Sequence, residues 1–299
     1  NALLTATSAE DGSFSFENIP YGTWYVREIE QPAGFVLDDT VYPVTIGADG
    51  QVVEIKIVNT YVRGNIHLTK VDSEYPDNKL TGATFEVYKD SNATGKLDDG
   101  DELLGTLTEN EKGEYSMSGL FYGRYFVKET KAPEGFVLDT GVYELMIDTN
   151  GKNYEVENKA GVGFINEAMR GNLKIVKTSS DGKVKGFAFR ITGANGYDII
   201  LETNDKGEIF IDGLRIGDYT ISEVSNSASS MYVLPADKKA TVKLGSTTIV
   251  EMHNVLRDTP KTGDTTNLPL LYTLVGLSAV GIAVCGVIGF KKKKKEDRN

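Results

Sequence analysis

The chain has 299 residues, a net charge of −11, two histidines and a single cysteine, Cys285. One cysteine excludes a disulfide framework within the chain, and the acidic balance argues against nucleic acid as a partner. The charge is unevenly placed: residues 291–299 carry a net +4, so the rest of the chain carries −15.

Helix-favouring runs are scarce, while Thr, Val, Ile, Tyr and Gly are plentiful. Short alternating segments are separated by turn dipeptides such as Asp11-Gly12, Asp49-Gly50, Asn150-Gly151 and Asp181-Gly182. This pattern predicts an all-β fold built from sandwich modules.

In chain order, the first alternating segment is Trp24-Tyr25-Val26-Arg27-Glu28, whose apolar face ends on a glutamate. Ile55, Ile57 and Asn59 follow as a strand face ending on an asparagine. Next comes Ile66, Leu68, Lys70, an apolar face ending on a lysine. The sequence then repeats itself. Tyr125 to Glu129 and Val162, Phe164, Asn166 answer the first two segments; Leu173, Ile175, Lys177 answers the third. Tyr219 to Glu223 and Val250, Met252, Asn254 complete a further copy. Side chains two apart in a strand share a face, so each repeat points polar groups into apolar surroundings. Such groups are costly to bury alone and are expected to meet one another. His67 and His253 fall on the outward parity of their strands.

The spacing supports a true repeat. Asn59 precedes Lys70 by 11 residues, and Asn166 precedes Lys177 by 11. Glu28 to Asn59 and Glu223 to Asn254 are both 31 residues, while Glu129 to Asn166 is 37, consistent with a loop insertion. Asn158 competes with Asn166 in the middle copy, but only Asn166 keeps the 11-residue step. The glutamates lie 101 and 94 residues apart, a domain-length period. The expected modules are residues 1–62, an N-terminally truncated copy with no lysine ahead of Glu28, then 63–170 and 171–257. Asn1 opens the chain with no leader pattern behind it, so the sequence reads as the C-terminal piece of a longer secreted precursor.

Within the middle copy, Asp90, Asn92, Thr94, Asp98 and Asp101 stand at positions 1, 3, 5, 9 and 12 of a loop with Gly95 at 6. That approximates a calcium loop. Thr at 5, Asp rather than Glu at 12 and the absence of flanking helical patterns favour an acidic solvated hairpin over a calcium site. No His-Glu-x-x-His, phosphate-binding Gly-Lys-Ser/Thr or Gly-x-Ser-x-Gly motif occurs.

Residues 258–299 form a separate unit. Leu268 to Phe290 is a 23-residue uncharged stretch, long enough to span a bilayer. Lys291 to Lys295 follow, which places this end in the cytoplasm and the preceding modules outside. Thr259-Pro260-Lys261-Thr262-Gly263 stands just upstream. The order Pro-x-Thr-Gly, apolar helix, basic tail resembles the cell-wall sorting signal of Gram-positive surface proteins. That resemblance implies cleavage by a sortase between Thr262 and Gly263, and transfer to peptidoglycan. The usual first residue is Leu, and Thr259 departs from it.

Tyr125-Phe-Val-Lys-Glu129-Thr-Lys-Ala-Pro133-Glu-Gly135-Phe136 resembles the glutamate box of CnaB/SpaA-type, prealbumin-like domains of Gram-positive adhesins and pilins. Trp24 to Phe35 matches it as well, with Glu28, Pro32 and Gly34 in place. The third copy keeps Tyr219 and Glu223 but has Ser225 to Met231 in place of the Pro-x-Gly-aromatic tail. The resemblance implies isopeptide chemistry, which the residue types also support. A buried Lys loses its charge more readily and a buried Glu keeps its proton. A neutral Lys amine can attack an Asn carboxamide with the Glu as proton shuttle, releasing ammonia. Lys70, Glu129 and Asn166 take these roles in one copy, and Lys177, Glu223 and Asn254 in the next. Glu28 and Asn59 await a lysine.

The expected function is the stalk of a sortase-anchored adhesin, held on the cell wall and made by a membrane-spanning precursor. No cofactor is required by this chemistry. Partners would be sortase, peptidoglycan and a host extracellular-matrix target. A sortase-polymerised pilin subunit, meeting other pilin subunits, is the first alternative. The anchoring tail of a wall-attached enzyme is the second.

Overall fold

The computed structural model describes residues 3–257. The expected sorting motif, membrane helix and basic tail at 259–299 lie outside the described residues, among which no helix is long and apolar enough to cross a membrane. The chain divides between Arg170 and Gly171 into two compact units.

The first unit opens with a two-stranded sheet, β1 (Gly22–Val26) against β2 (Tyr42–Ile46), antiparallel with Trp24 opposite Val44. Residues 55–59 alternate between half-buried and exposed as expected, but they form no strand. The physical reason is the ladder. In both later copies the asparagine-bearing strand pairs with a lysine-bearing strand that comes first in the module, and among the described residues no strand precedes β1. A segment without a ladder partner is extended chain, not sheet. Residues 3–62 hold one small two-stranded sheet.

The rest of this unit is a true sandwich. Its strands are β3 (Arg63–Asp72), β4 (Thr84–Lys89), β5 (Glu102–Thr106), β6 (Thr108–Glu111), β7 (Glu114–Phe121), β8 (Gly123–Lys131), β9 (Val142–Ile147), β10 (Asn153–Glu155) and β11 (Phe164–Asn166). One sheet runs β10-β3-β7-β6, with β11 also on β3; the other runs β5-β4-β8-β9. Ile66, Leu68, Tyr115 and Phe164 from the first sheet meet Phe85, Val87, Tyr125 and Val127 from the second in one core. Phe164 sits at the centre, edge-on to Phe85 and Tyr143 with ring centroids 5.0 Å apart in both pairs.

The second unit repeats the plan with β12 (Arg170–Ser179), β13 (Ala188–Thr192), β14 (Asp198–Glu202), β15 (Glu208–Arg215), β16 (Gly217–Val224), β17 (Tyr232–Val233), β18 (Lys238–Val242) and β19 (Thr247–Leu256). Its sheets are β15-β12-β19-β17 and β14-β13-β16-β18, packed over Leu173, Ile175, Phe189, Ile191, Tyr219, Ile221, Val250 and Met252.

In both sandwiches the first strand lies beside the last one and parallel to it. β3 pairs β11 with Lys70 opposite Phe164, and β12 pairs β19 with Lys177 opposite Met252. The asparagine is two residues further on in each case, opposite Asp72 or Ser179.

Candidate functional site

Strand period alone decides which side chains enter the core. Along β3 the inward positions are Ile66, Leu68, Lys70 and Asp72, with Lys70 fully buried; along β12, Lys177 is 1% exposed. Lys and Asn two positions out of register on neighbouring strands are diagonal neighbours on one face, within reach of a long side chain. The glutamate comes from the facing sheet, where Glu129 on β8 pairs Phe85 and Glu223 on β16 pairs Phe189. Lys, Asn and Glu thus converge from two sheets in each sandwich. Asn166, Asn254, Glu129 and Glu223 are all buried.

The contacts repeat between copies. Asn166 Nδ2 donates to Glu129 Oε2 at 2.8 Å, and Asn254 Nδ2 donates to Glu223 Oε1 at 2.6 Å. Lys70 Nζ donates to the Phe164 carbonyl at 3.0 Å and lies 5.3 Å from the Phe164 ring centroid. Lys177 Nζ donates to the Thr178 carbonyl at 2.5 Å and lies 4.1 Å from the ring centroid of Phe187. The backbone of each lysine is held the same way. Lys70 N–H bonds the Gly113 carbonyl at 2.7 Å, and Lys177 N–H bonds the Gly207 carbonyl at 2.8 Å.

Those two glycines sit in the left-handed region, at φ 69° and 76°, and a Cβ on either would meet the lysine carbonyl oxygen at 3.0 or 2.8 Å. Gly113→Ala and Gly207→Ala should each cost roughly 2 kcal/mol through backbone strain and crowding. Urea unfolding should show this as a lower midpoint at unchanged slope.

Burial is the main force on the titrations. It drives the Lys70 ammonium down to about 8, against the charges of Glu129, Asp139 and Asp72, which pull it up. A lysine at that value has a neutral fraction at pH 7 roughly 300-fold above that of a solvated one. Burial likewise lowers Lys177 and raises Glu129 and Glu223 above the ordinary carboxylate range, despite the opposing asparagine hydrogen bonds.

Four buried side-chain atoms find no hydrogen-bond partner among the described residues: Glu129 Oε1, Asn166 Oδ1, Glu223 Oε2 and Asn254 Oδ1. They are one glutamate oxygen and one asparagine oxygen from each site. An orphaned buried polar atom is costly. A proton on each glutamate would let its free oxygen donate to the free asparagine oxygen and satisfy both.

The Pro-x-Gly-Phe tail has a visible job. Phe136 N–H closes a turn on the Pro133 carbonyl, and Val137 then accepts from Asn166 Nδ2 at 2.5 Å. Phe35, Pro32, Val36 and Asn59 repeat this in the first copy, with Asn59 Nδ2 to Val36 O at 3.2 Å. This second acceptor fixes which end of the amide faces the glutamate. Asn59 also donates to both Glu28 oxygens, at 2.9 and 2.8 Å, but there the pair is only half-buried.

Sequence reading missed a further set of residues. Asp139 N–H donates to Glu129 Oε2 at 2.8 Å, and Tyr143 OH donates to Asp139 Oδ2 at 2.8 Å. Asp38 and Tyr42 do the same beside Glu28, at 2.8 and 2.6 Å. The signal was present in the spacing: Asp follows Glu by 10 residues and Tyr follows Asp by 4 in both copies. Asn158, the rejected alternative to Asn166, donates to Asp139 Oδ2 at 2.6 Å and ties down Ile165 instead.

The acidic loop closes on its own donors. Asp90 accepts from the N–H groups of Thr94 and Gly95, Asp98 from Asn92 Nδ2 and Thr94 Oγ1, and Asp101 from the N–H groups of Ser91 and Asp98. No cluster of three or more His, Cys, Asp or Glu placed to hold a metal ion occurs among the described residues.

Comparison with known proteins agrees with this architecture. The SpaA prealbumin-like fold domain family matches residues 2–61, 64–160 and 171–255. The trypsin-resistant surface T6 protein of Streptococcus pyogenes serotype M6 is 28% identical over 204 residues, covering 58% of this chain and 35% of the relative. The Bacillus anthracis TIE protein superposes with a TM-score of 0.62 at 26% identity, over 84% of this chain and 45% of that one. The chain therefore spans less than half the length of either relative. With the family match covering most of its length, the chain belongs to the SpaA prealbumin-like fold domain family, as a tandem array of three matched segments.

Proposed function

We propose that the chain is the stalk of a sortase-anchored surface adhesin, stiffened by self-formed isopeptide bonds from Lys70 to Asn166 and from Lys177 to Asn254. The observation that carries this reading is the matched set of orphaned oxygens beside a buried lysine, present in both sandwiches. Each reaction joins Lys Nζ to the Asn Cγ carbon and breaks the Cγ–Nδ2 bond. The amine gives up a proton, the leaving nitrogen gains one, and ammonia departs. Glu129 or Glu223 carries that proton and, while protonated, polarises the asparagine oxygen. The fold supplies the proximity that makes the attack intramolecular. Thr259 to Gly263 would direct sortase to the Thr262–Gly263 bond and attach the product to peptidoglycan.

Tryptic peptide mapping tests the chemistry. Branched peptides joining Lys70 to Asn166 and Lys177 to Asn254 are expected, with none at Asn59. Unmodified linear peptides at all of these positions in folded protein would refute the reading.

The pH dependence has a defined sign. The reactive form has neutral Lys70 and protonated Glu129, one proton fewer than the fully protonated pair and one more than the fully deprotonated pair. The crosslinking rate should fall on the acid side below the raised Glu129 value, and on the alkaline side above about 8, where the second proton leaves. A time course of mass loss in freshly synthesised chain, across pH, reads both limbs.

The family match suits a sortase-polymerised pilin subunit equally well. Incubation of the chain with sortase separates the two. A ladder of covalent oligomers would mark a pilin, and transfer only to a peptidoglycan amine would mark a stalk.

A further inference from the structure

Each sandwich holds a second carboxylate that the crosslinking scheme does not use. In the first of them it is Asp139, which takes three donors: Tyr143 OH at 2.8 Å, Gly141 N–H and Asn158 Nδ2, both at 2.6 Å. In the second it is Asp181, which takes Tyr232 OH at 2.6 Å, Ser179 Oγ at 3.0 Å and Lys183 N–H at 3.3 Å, and which also pairs with the exposed Lys183 ammonium at 3.2 Å. The two pairs come from different places in the module. Asp139 and Tyr143 are four residues apart, near the start of β9, whereas Asp181 follows β12 and meets Tyr232 on β17 across 51 residues. The first copy of the glutamate box carries the pair again as Asp38 and Tyr42. The same tyrosine-capped aspartate thus recurs although its sequence context does not.

Resting on the isopeptide reading, we infer that this aspartate is a positioning residue of the crosslinking reaction. It is held as an anion by its donors, and it stabilises the positive charge that develops on the lysine nitrogen during attack. The glutamate and the aspartate thereby divide two tasks. Burial raises Glu129 above the ordinary carboxylate range, with a smaller push from Asp139's charge, against the Asn166 and Asp139 N–H hydrogen bonds and the Lys70 charge. Burial also pushes Asp139 up, but its donors and the Lys70 charge keep it below the ordinary range. Asp181 is held low chiefly by the Tyr232 hydroxyl. Two carboxylates pushed in opposite directions by their environments can divide acid chemistry and charge stabilisation between them. Both aspartates act on the attacking amine: Asp139 raises Lys70, and Asp181 raises Lys177. The charged or titratable groups facing Asp139 are Lys70 from β3, Glu129 from β8 and Tyr143 from β9. Asp139 is half-buried and Asp181 is exposed, but each carboxylate is fixed in place by its donors, so it needs little reorganisation when charge develops on the amine.

Cell-free synthesis of the full chain, quenched over time and across pH, tests this in Asp139→Asn and Asp181→Asn chains. Each site is the other's internal control. Asp139→Asn should slow the Lys70–Asn166 crosslink by about tenfold or more at neutral pH and leave Lys177–Asn254 unchanged. Both limbs of its pH profile should move to lower pH, because the charge that raised Glu129 and Lys70 is gone. A purely structural lesion would not move the limbs together. Asp181→Asn lies in a loop and keeps an acceptor oxygen for Tyr232, so it covers the case in which Asp139→Asn fails to fold. It should slow only Lys177–Asn254. If wild type crosslinks and both variants match it at every pH, the inference fails alone. If wild type forms neither crosslink, the reading beneath it fails as well.

Discussion

If the proposed Lys70–Asn166 crosslink forms, Glu129→Gln should leave the first sandwich about 4–5 kcal/mol less stable than wild type, because the substitution would remove a covalent closure of a loop on the order of 100 residues. A side-chain amide from Lys70 to Asn166 would restrict the unfolded chain in the same way as a disulfide. Gln keeps the size of Glu and its contact with Asn166 but cannot carry the proton, so the fold is retained and the reaction is not. The uncrosslinked chain also keeps Lys70 fully buried among Phe164 and its neighbours. A second variant, Lys70→Met, separates the two contributions. Met fills the same space without a charge to desolvate, and replacing buried charges with apolar groups is often neutral or stabilising. Lys70→Met should therefore be less stable than crosslinked wild type but more stable than Glu129→Gln, by about 1–3 kcal/mol. Chemical denaturation of the three proteins checks the order.

Pulled from its ends, wild-type chain should show almost no extension from either sandwich, whereas Glu129→Gln should release roughly 300 Å when its first sandwich opens. The topology dictates this. Lys70 lies on the first strand of the module and Asn166 on the last, side by side and parallel. An amide between them carries the load from one strand directly to the next, so the chain between is never stretched. Without the bond, force shears β11 from β3 and the sandwich unravels. Lys177 and Asn254 repeat the arrangement on β12 and β19, so Glu223→Gln should add a second, slightly shorter release. In a chain with one cysteine, the proposed tie would do what disulfides do in secreted modules. Single-molecule force spectroscopy on the three proteins reads the lengths directly.

The parts of the site that were legible in the sequence were those fixed by strand period. Lys70, Lys177, Glu129, Glu223, Asn166 and Asn254 each end an alternating apolar face, and each is buried. Asn166, which keeps the 11-residue step, donates to Glu129, whereas Asn158 clamps Asp139 and Ile165. Period failed at residues 55–59, because alternation describes one segment while a strand needs two. It was silent on Asp139 and Tyr143, which lie around a loop with no period, although their spacing repeats that of Asp38 and Tyr42. Asp181 and Tyr232 could not be paired from sequence at all, as only the fold brings them together. The lysine-anchoring role of Gly113 and Gly207 was equally hidden. A Lys-Gly turn is visible in the chain, but its carbonyl's destination on a distant strand is not.

The most direct measurement is the intact mass of folded protein, beside Glu129→Gln and Glu223→Gln. Wild type should fall short of its sequence mass by two ammonia molecules, and each variant by one after allowing for the substitution. A folded wild-type chain at its full sequence mass would contradict the crosslinked stalk and leave Lys70, Lys177 and their partners as packed polar groups.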